Sequence, residues 1–589
     1  MPSLQQQLTS TVATAFADCG YDRKYGTVQI SNRPDLSQFQ CNGALAAARQ
    51  YNTNPRQIAQ AIVDKLTVLD LFQQVTIAGA GFINLTLTDA YLVDHLRALA
   101  ADERHNCAPV AQPQKVLIDY GGTNVAKPMH VGHMRAPNIG ECLKRLTRFL
   151  GHEVLGDVHL GDWGLPMGLV ISELELRHPD WLYFDPGYNG PYPPVLPITI
   201  TDLEELYPVA SKRASEDSAA REAARQATLA LQNGRPGYFA LWQQFRQLSV
   251  NDLKRDYDEL GAEFDLWLGE SDTRDWVIAL VERLQDDGYA EESEGALIVD
   301  VSQPEDTKEV PPLILVKSDG AVLYGTTDLA TIEQRVQELK RELILYVVDK
   351  RQSTHFQQVF RAAYKTGVAP ATVGLEHIAF GTMNGKDGKP FKTRDGGVLR
   401  LRALLDMAID KAKERLAEVE AAQNYPDTEK AEIARLVGMA TLKYADLMNH
   451  RTMDYSFDLD RFSAFEGRTG PYLLYTAARA KSILRKAREQ ALPFGPIHAP
   501  VDDGERAFFL KLAELPEVLN LAFVERAPNH LCEYAYTLAT TFNRFYRDHH
   551  ILSEANPAQQ ASWLALADCS VAVLEQVLDL LGIQTPARM

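Results

Sequence analysis

The chain has 589 residues and a formal net charge of −18, so it is too long for one hydrophobic core and should hold about three or four domains. The acidic balance argues against a nonspecific polyanion binder, although a local basic face can still steer RNA. Six cysteines without paired spacing indicate reduced thiols. We find neither a secretory leader nor a run of about 18 apolar residues, and therefore expect a cytoplasmic protein with no membrane segment.

The first predicted domain covers residues 1–112 and mixes helix with strand. Apolar residues recur at helical spacing over residues 58–66, whereas residues 74–77 and 81–87 are typical of strands. A proline-containing stretch at 108–113 is a plausible linker. We therefore expect a small α+β domain at this end of the chain.

The second predicted domain, residues 113–400, begins with a buried strand. Residues 115–118 are apolar and mostly branched, and the glycine pair at 121–122 ends the strand. Further on, apolar runs such as residues 343–348 alternate with helices, the pattern of parallel strands covered on both faces. This predicts a doubly wound, Rossmann-like α/β domain with an insertion at about 180–300.

Two histidines follow the first strand of this domain. The sequence His130-Val-Gly132-His133 should open a helix, whose free backbone N–H groups attract phosphate. Imidazoles three positions apart lie on one helix face, and Gly132 leaves the backbone accessible to a nucleotide. The imidazoles can donate hydrogen bonds to a triphosphate attacked at its α-phosphorus, and Lys127 could add positive charge. The stretch therefore predicts a nucleotide-phosphate site.

The longer string around these histidines resembles a family signature. His-x-Gly-His after a first strand is similar to the signature of class I aminoacyl-tRNA synthetases and related nucleotidylyltransferases, and the stretch from Asn124 to Arg135 resembles the arginyl-tRNA synthetase version. Segments at 156–164, 317–330 and 346–356 resemble further elements of that family. A zinc site is disfavoured, because no cysteine or third histidine lies at metal spacing.

The resemblance implies a reaction and its substrates. ATP and L-arginine would give arginyl-adenylate and pyrophosphate, and the arginyl group would then pass to the 3′ end of tRNA(Arg). Mg²⁺ would accompany ATP, with no tightly bound metal, and tRNA would bind before activation. We expect a monomer. The appended N-terminal domain would contact the tRNA elbow.

The resemblance also implies an arginine pocket. A guanidinium is a permanent planar cation whose donors pair with carboxylates, for which Asp119 and Asp328 are candidates. Asp328 and Gln352 would face the guanidinium, Tyr324 would line the pocket, and the remaining residues would hold the amino-acid backbone end. The implied arginine-binding set is Asp119, Asn124, His133, Tyr324, Asp328 and Gln352.

One family element is absent in its usual form. Class I enzymes usually carry Lys-Met-Ser-Lys-Ser in a loop over the ATP phosphates, but here a Gly-rich basic loop occupies residues 385–397. Thr393 falls where the second lysine is expected, so we hypothesise that Lys127 supplies the missing charge. An ordinary solvated turn is the alternative for this loop. The predicted catalytic set is His130, His133, Lys127, Lys389, Lys392 and Arg394.

Residues 401–589 are predicted to form a helix bundle. Its first helix has one apolar stripe, formed by Leu401, Leu404, Leu405, Ala408, Ala412, Leu416 and Val419. Later segments resemble the family's anticodon-binding domain, where aromatic side chains beside arginines can stack on unpaired bases. Taken singly, an aromatic residue at helical spacing more often belongs to the core. The candidate tRNA-contacting residues are Tyr472, Arg479, Asn543 and Tyr546.

Two other interpretations remain open. A different nucleotidylyltransferase would share the histidine signature but would need neither a helical bundle nor tRNA. A catalytically inactive tRNA-binding paralogue would keep the bundle and lose the pocket. The intact pair His130 and His133, together with Tyr324, Asp328 and Gln352, argues against the second interpretation.

Overall fold

The computed structural model describes residues 2–33, 36–188, 190–195, 197–318, 320–389, 391 and 399–589. The chain forms two compact units. The first contains Met1–Val110, Phe465–Asp579 and Ile583–Met589, and the second contains Ala111–Ala464 and Leu580–Gly582. The two ends of the chain thus belong to one unit. The predicted division into residues 1–112, 113–400 and 401–589 stays a prediction.

The N-terminal part of the first unit is an antiparallel sheet with helices. Its elements are α1 (Leu4–Asp18), β1 (Val28–Ile30), β2 (Phe39–Cys41), α2 (Gly43–Tyr51), α3 (Pro55–Leu66), β3 (Phe72–Ala78), β4 (Phe82–Leu87) and α4 (Asp89–Ala101). Among the described residues the strand order is β1-β2-β4-β3. Asn54 caps α3 by accepting from the backbone N–H of Arg56, and a proline occupies the first turn. The predicted α+β character is confirmed.

The second unit is built around a parallel sheet. Its elements are β5 (Lys115–Tyr120), α5 (Arg135–Phe149), β6 (Glu153–Asp157), α6 (Leu165–Arg177), α7 (Ile200–Glu216), α8 (Ser218–Gln232), α9 (Pro236–Leu260), α10 (Arg274–Asp286), β7 (Glu291–Ser293), β8 (Ala296–Val299), β9 (Leu313–Val316), α11 (Tyr324–Gln337), β10 (Leu343–Val347), α12 (Ser353–Lys365), β11 (Gly374–His377), β12 (Met383–Asn384), α13 (Leu401–Ala417), α14 (Asp427–Leu447), β13 (Tyr455–Ser456) and α15 (Leu459–Phe462).

The sheet order in the described chain is β11-β10-β5-β6, and all its pairings are parallel. Central strand β5 is buried from Val116 to Tyr120, as its continuous apolar run predicts. The register places Tyr346, Asp119 and Asp157 side by side near the carboxyl ends of their strands. Ligands bind parallel sheets at that edge. The predicted doubly wound α/β class is confirmed.

The C-terminal part of the first unit is helical. Its helices are α16 (Gly470–Glu489), α17 (Asp503–Ala513), α18 (Leu515–Val524), α19 (Asn529–Asp548) and α20 (Pro557–Leu580). By length and composition α20 could cross a membrane, with a mean hydropathy of 1.4, but 72 % of its most apolar window is buried inside the structure. A core helix of a bundle has that burial. Six of the seven residues predicted for the stripe of residues 401–419 are the buried ones of α13, in the second unit. The seventh, Val419, lies beyond the end of this helix and is half-buried.

Candidate active site

The two signature histidines form a short turn directly before α5. His130 caps a 3-10 helix that spans Val131–His133, and its Nδ1 accepts from the backbone N–H of Gly132 at 3.1 Å. Nδ1 of His133 accepts from the backbone N–H of His130 at 3.1 Å. The two rings stack with centroids 3.7 Å apart. The turn thus fixes both imidazoles through backbone contacts.

These contacts decide which ring nitrogen can serve a substrate. Because Nδ1 of each ring accepts a hydrogen bond, the proton of the neutral imidazole is on Nε2, which remains a donor. Burial, followed by the charge of Lys127, lowers the pKa of His130. Burial lowers the pKa of His133 to about 3, with His130 and Lys127 contributing. Both rings are therefore neutral near pH 7 and can donate from Nε2.

A side chain at position 132 would come too close to the ring of His130. A Cβ at this position would lie 2.9 Å from Cε1 and 3.0 Å from Nδ1 of His130. Any other residue would therefore displace the first imidazole of the turn. This steric reason for a glycine adds to the access for a nucleotide that the sequence suggests.

A backbone bridge joins the histidine turn to the start of α13. Val131 donates to the carbonyl of Leu399 at 3.0 Å, and Leu401 donates to the carbonyl of Met129 at 2.9 Å. A second contact lies just after the turn, where buried Arg135 at the start of α5 donates to Oδ1 of Asp446 at 2.7 Å. The turn is thus held from two sides.

The Gly-rich basic loop, residues 385–397, follows β12 along the chain. Lys389 is exposed, and its carbonyl accepts from the backbone N–H of Gly385. Lys392, Thr393 and Arg394 lie outside the described residues. Lys127 is half-buried, with its Nζ 4.3 Å from the ring centroid of Tyr207.

Asp119 contacts a buried arginine of the chain itself. Nη2 of Arg335 lies 2.6 Å from Oδ2 of Asp119 and 2.8 Å from Oδ2 of Asp157. Arg335 also lies over the ring of Tyr346. Burial raises the pKa of Asp157, but His159 and Arg335 outweigh it and hold the value at about 2. The structure thus gives Asp119 an internal guanidinium partner, which the sequence did not reveal.

The same residues include a possible metal cluster. Ligand atoms of Asp119, Asp157 and His159 lie within 4.8 Å of one another, in the part of the chain that the structure describes. Arg335 hydrogen bonds to both carboxylates, so a permanent cation already pairs with them and offsets one of their two negative charges. A divalent metal would have to displace that buried guanidinium.

Tyr324 and Asp328 lie one turn apart at the start of α11. Oδ2 of Asp328 is 2.5 Å from Nε2 of His355 on α12, and the Tyr324 ring lies 4.6 Å from that imidazole. Gln352 is exposed and immediately precedes α12. The charge of its neighbour Arg351 helps to lower the pKa of His130. The predicted pocket residues on α11 and the histidine turn therefore both lie near the start of α12.

Glu270 is a further acidic residue that sequence reasoning missed. Burial raises its pKa to about 7, and the charges of Asp328 and Asp162 add to the rise, whereas His159 opposes it. Asp328 and Glu270 are therefore close enough to repel each other. Two carboxylates that share a shielded site favour a bound cation. The signal for Glu270 is its raised pKa, which burial causes first and a neighbouring acid second, and both causes are visible only in the folded structure.

Asn124 lies against the Gly-Asp-Trp-Gly element at residues 161–164, which is part of the family-like segment 156–164. Asn124 forms a parallel bridge with Gly161, where a Cβ would overlap its side-chain oxygen. Asp162 of that element is fully buried and pairs with Arg246 at 2.8 Å. Asn124 itself is exposed. The element thus supports the turn that carries Asn124.

The four candidate tRNA-contacting residues come together on α16 and α19. Nδ2 of Asn543 donates to the hydroxyl of Tyr472 at 3.0 Å, and the guanidinium of Arg479 lies 4.8 Å from the ring centroid of Tyr546. Arg479 is exposed, and both tyrosines are half-buried. The face offers aromatic planes next to an arginine, as stacking on unpaired bases requires.

Family models match almost the whole chain. The model described as tRNA synthetases class I (R), catalytic domain, matches residues 95–459. The arginyl tRNA synthetase N terminal domain matches residues 3–87, and the DALR anticodon binding domain matches residues 473–589. The parallel sheet and its histidine turn are those of a class I aminoacyl-tRNA synthetase.

Relatives and solved structures match this chain over its full length. The arginine–tRNA ligases of Alkaliphilus oremlandii and Maricaulis maris are 50 % and 48 % identical to this chain, with 100 % of both chains covered in each case. The chain belongs to the arginyl-tRNA synthetase family and is a ligase. Its fold is similar to arginyl-tRNA synthetase structures from Plasmodium falciparum and Thermus thermophilus, with TM-scores of 0.82 and 0.80 at 23 % identity and 100 % of both chains covered.

Proposed function

We propose that this arginine–tRNA ligase activates L-arginine in the pocket of Asp328 and Glu270 and transfers it to the 3′ end of tRNA(Arg). The observation that carries the assignment is the cluster at the start of α12, where Oδ2 of Asp328 lies 2.5 Å from Nε2 of His355 and the Tyr324 ring lies 4.6 Å from that imidazole, in the unit that holds the histidine turn. Burial raises the pKa of the Glu270 carboxyl, and the charge of Asp328 adds to that rise. A guanidinium between them would relieve their repulsion. Analogues without that cation would leave the carboxylates unpaired and be rejected.

The first step is in-line displacement at the α-phosphorus of ATP. The carboxylate of arginine attacks, a new O–P bond forms, and pyrophosphate leaves with the electrons of the broken bond. The Nε2 protons of His130 and His133, with the charge of Lys127, would stabilise the negative charge that grows on the phosphate oxygens. Mg²⁺ is part of the ATP substrate and would neutralise the leaving group.

The second step moves the arginyl group to tRNA. A ribose hydroxyl at the 3′ end attacks the acyl carbon of arginyl-adenylate, and AMP leaves. Both steps need positioning and charge stabilisation but no covalent enzyme intermediate. Lys389, Lys392 and Arg394 are proposed to close over the triphosphate during the first step.

Asp119 is proposed to act at the amino-acid end of arginine, as are Asn124 and His133. Asp119 already has a guanidinium partner in Arg335, so a second guanidinium is proposed to bind at Asp328 and Glu270 instead. Tyr324 would line the pocket, and Gln352 would face the guanidinium together with Asp328. This division directs the substrate side chain towards α11.

Recognition of tRNA is proposed to involve both ends of the chain. The N-terminal domain, residues 1–112, would contact the tRNA elbow. The face of Tyr472, Arg479, Asn543 and Tyr546 would receive anticodon bases. We further propose that the protein acts as a cytoplasmic monomer, without a membrane, through domains at 1–112, 113–400 and 401–589.

Arginine-dependent ATP–pyrophosphate exchange, with and without total tRNA, tests this function. We expect exchange with arginine and with none of the other amino acids, and only when tRNA is present. Exchange without tRNA would contradict the coupling to tRNA. No exchange in folded protein under either condition would contradict the ligase assignment and support an inactive tRNA-binding paralogue.

A pH dependence of arginine binding follows from Glu270. Its pKa of about 7 means that the carboxylate is charged above pH 7 and becomes neutral as the pH falls through that value. The KM for arginine should therefore rise about tenfold from pH 8 to pH 6, because the ionised fraction falls by that factor. The measurement is the arginine dependence of exchange across this range.

The matched variant for this experiment is Glu270→Gln. It keeps the shape but cannot ionise, so its KM for arginine should be high and nearly constant between pH 6 and pH 8. A variant with the wild-type pH profile would show that another group titrates. The KM for ATP serves as the internal reference.

A further inference from the structure

Helix α7 of the insertion packs against the same apolar cluster as the histidine turn. Its residues Leu203 and Leu206 share this cluster with Val131 of the turn and Leu401 at the start of α13. The sequence of the insertion does not indicate its function. Its position beside the turn suggests one.

Two polar contacts connect α7 to the chain around the histidine turn. Nζ of Lys127 lies 4.3 Å from the centroid of the Tyr207 ring, and Nη1 of Arg400 lies 2.7 Å from Oε2 of Glu204. Glu204 and Tyr207 are three positions apart and therefore share one helix face. Lys127 precedes His130 by three residues, and Arg400 forms a backbone bridge with His130. One face of α7 thus holds both flanks of the turn.

The carboxylate side of the Glu204–Arg400 contact is shielded from solvent, whereas the Arg400 side chain is 57 % exposed. The Glu204 side chain is 9 % exposed, and burial raises its pKa against the lowering effect of Arg400. Removing Arg400 would leave a largely buried carboxylate without its charge partner, so the pair fixes α7 at this place.

The contact with Tyr207 fixes the position of the positive charge of Lys127. A cation over an aromatic ring is attracted by the negative face of the ring. The charge of Lys127 contributes to the lowered pKa of both His130 and His133, so the ammonium lies near the two imidazoles while it contacts the ring. A lysine side chain has a flexible four-carbon stem, and a fixed contact is needed to keep its charge at one point.

We propose that Tyr207 is a positioning residue of the activation step, whose ring holds the ammonium of Lys127 beside His130 and His133. The Glu204–Arg400 pair holds α7 in register for this contact. The proposal rests on the proposed function, in which Lys127 supplies charge to the triphosphate. The insertion thus completes the phosphate site without contacting a reacting atom.

A double-mutant cycle on the full chain tests the proposal. Tyr207→Leu, Lys127→Ala and the double variant are assayed by ATP–pyrophosphate exchange with arginine and saturating tRNA. We expect Tyr207→Leu to lower kcat about tenfold, with the KM for arginine unchanged. In the Lys127→Ala background the same change should alter kcat by less than about twofold, because Tyr207 acts through Lys127. Tyr207→Phe keeps the ring face and should restore kcat.

Equal losses from Tyr207→Leu in both backgrounds would overturn the proposal, as would a phenylalanine variant as impaired as the leucine variant. Val209→Ala, an exposed truncation on the same helix, is the matched control and should keep wild-type kcat. Glu204→Gln offers a second approach if Tyr207→Leu does not fold, and its loss should also vanish in the Lys127→Ala background. Failure of the proposed function is distinguishable, because the wild-type chain would then show no arginine-dependent exchange.

Discussion

Replacing Asp328 with asparagine is expected to raise the KM for arginine in ATP–pyrophosphate exchange by about 10²–10³-fold. The substrate guanidinium would lose one partner of a shielded charge pair, and such losses cost about 2–5 kcal/mol. The kcat at saturating arginine should change much less, because the reacting carboxylate is at the other end of the substrate. The measurement is the arginine dependence of exchange at saturating ATP and tRNA.

His355 has to be considered in this experiment, because its Nε2 contacts Oδ2 of Asp328. Asparagine keeps an oxygen of the same shape, so the contact can persist as a neutral hydrogen bond. Asp306→Asn is the matched control, since Asp306 pairs with Arg361, which lies further along α12 than His355, and belongs to no predicted site. A wild-type arginine KM in Asp328→Asn would remove Asp328 from the pocket.

Local patterns predicted the elements that carry the site. A run of branched apolar residues predicts β5, and the glycine pair that follows predicts its end. Helical spacing predicts α13 with its buried stripe, because periodicity depends only on neighbours along the chain. The histidine signature was expected to open the helix, but α5 begins only at Arg135, after the signature. Its two rings belong to the preceding 3-10 turn, whose backbone contacts no periodicity could show.

The partners of the charged residues could not be predicted. Arg335 is 216 residues from Asp119, and the two meet only because α11 packs on a sheet whose register aligns Asp119 with Asp157. Glu270 lies in a short 3-10 turn, Glu270–Thr273, where an acidic residue is usually a cap. Its closeness to Asp328 depends on long-range packing. The sequence therefore identified Asp328 but not Glu270 as a carboxylate for the guanidinium.

The candidate tRNA-contacting residues on α16 and α19 could be predicted only in part from the sequence. Tyr472 and Asn543 were chosen from separate segments that resemble one domain of the family. In the structure they are hydrogen bonded across α16 and α19. The resemblance thus supplied residues that belong together, whereas their contact required the fold. Their role towards RNA stays a prediction.

Replacing His130 with alanine is expected to lower kcat for arginine-dependent exchange by about 10²–10³-fold, the usual cost of removing one donor that stabilises a developing anion. The KM for arginine should change little, because His130 is not assigned to the arginine pocket. The readout is the initial rate of exchange at saturating ATP, arginine and tRNA, with thermal unfolding as the check on folding.

His130 also has a structural role, since its Nδ1 accepts from the backbone N–H of Gly132. Asparagine separates the two roles, because its side-chain oxygen can cap the same N–H while no donor reaches the position of the imidazole Nε2. We expect His130→Asn to recover the thermal stability lost in His130→Ala but to stay as inactive. If asparagine instead restores kcat, His130 acts only by shaping the turn, and His133 and Lys127 are left to stabilise the phosphate charge. The result would then shift the chemical role from a pair of stacked imidazoles to a single ring and an ammonium.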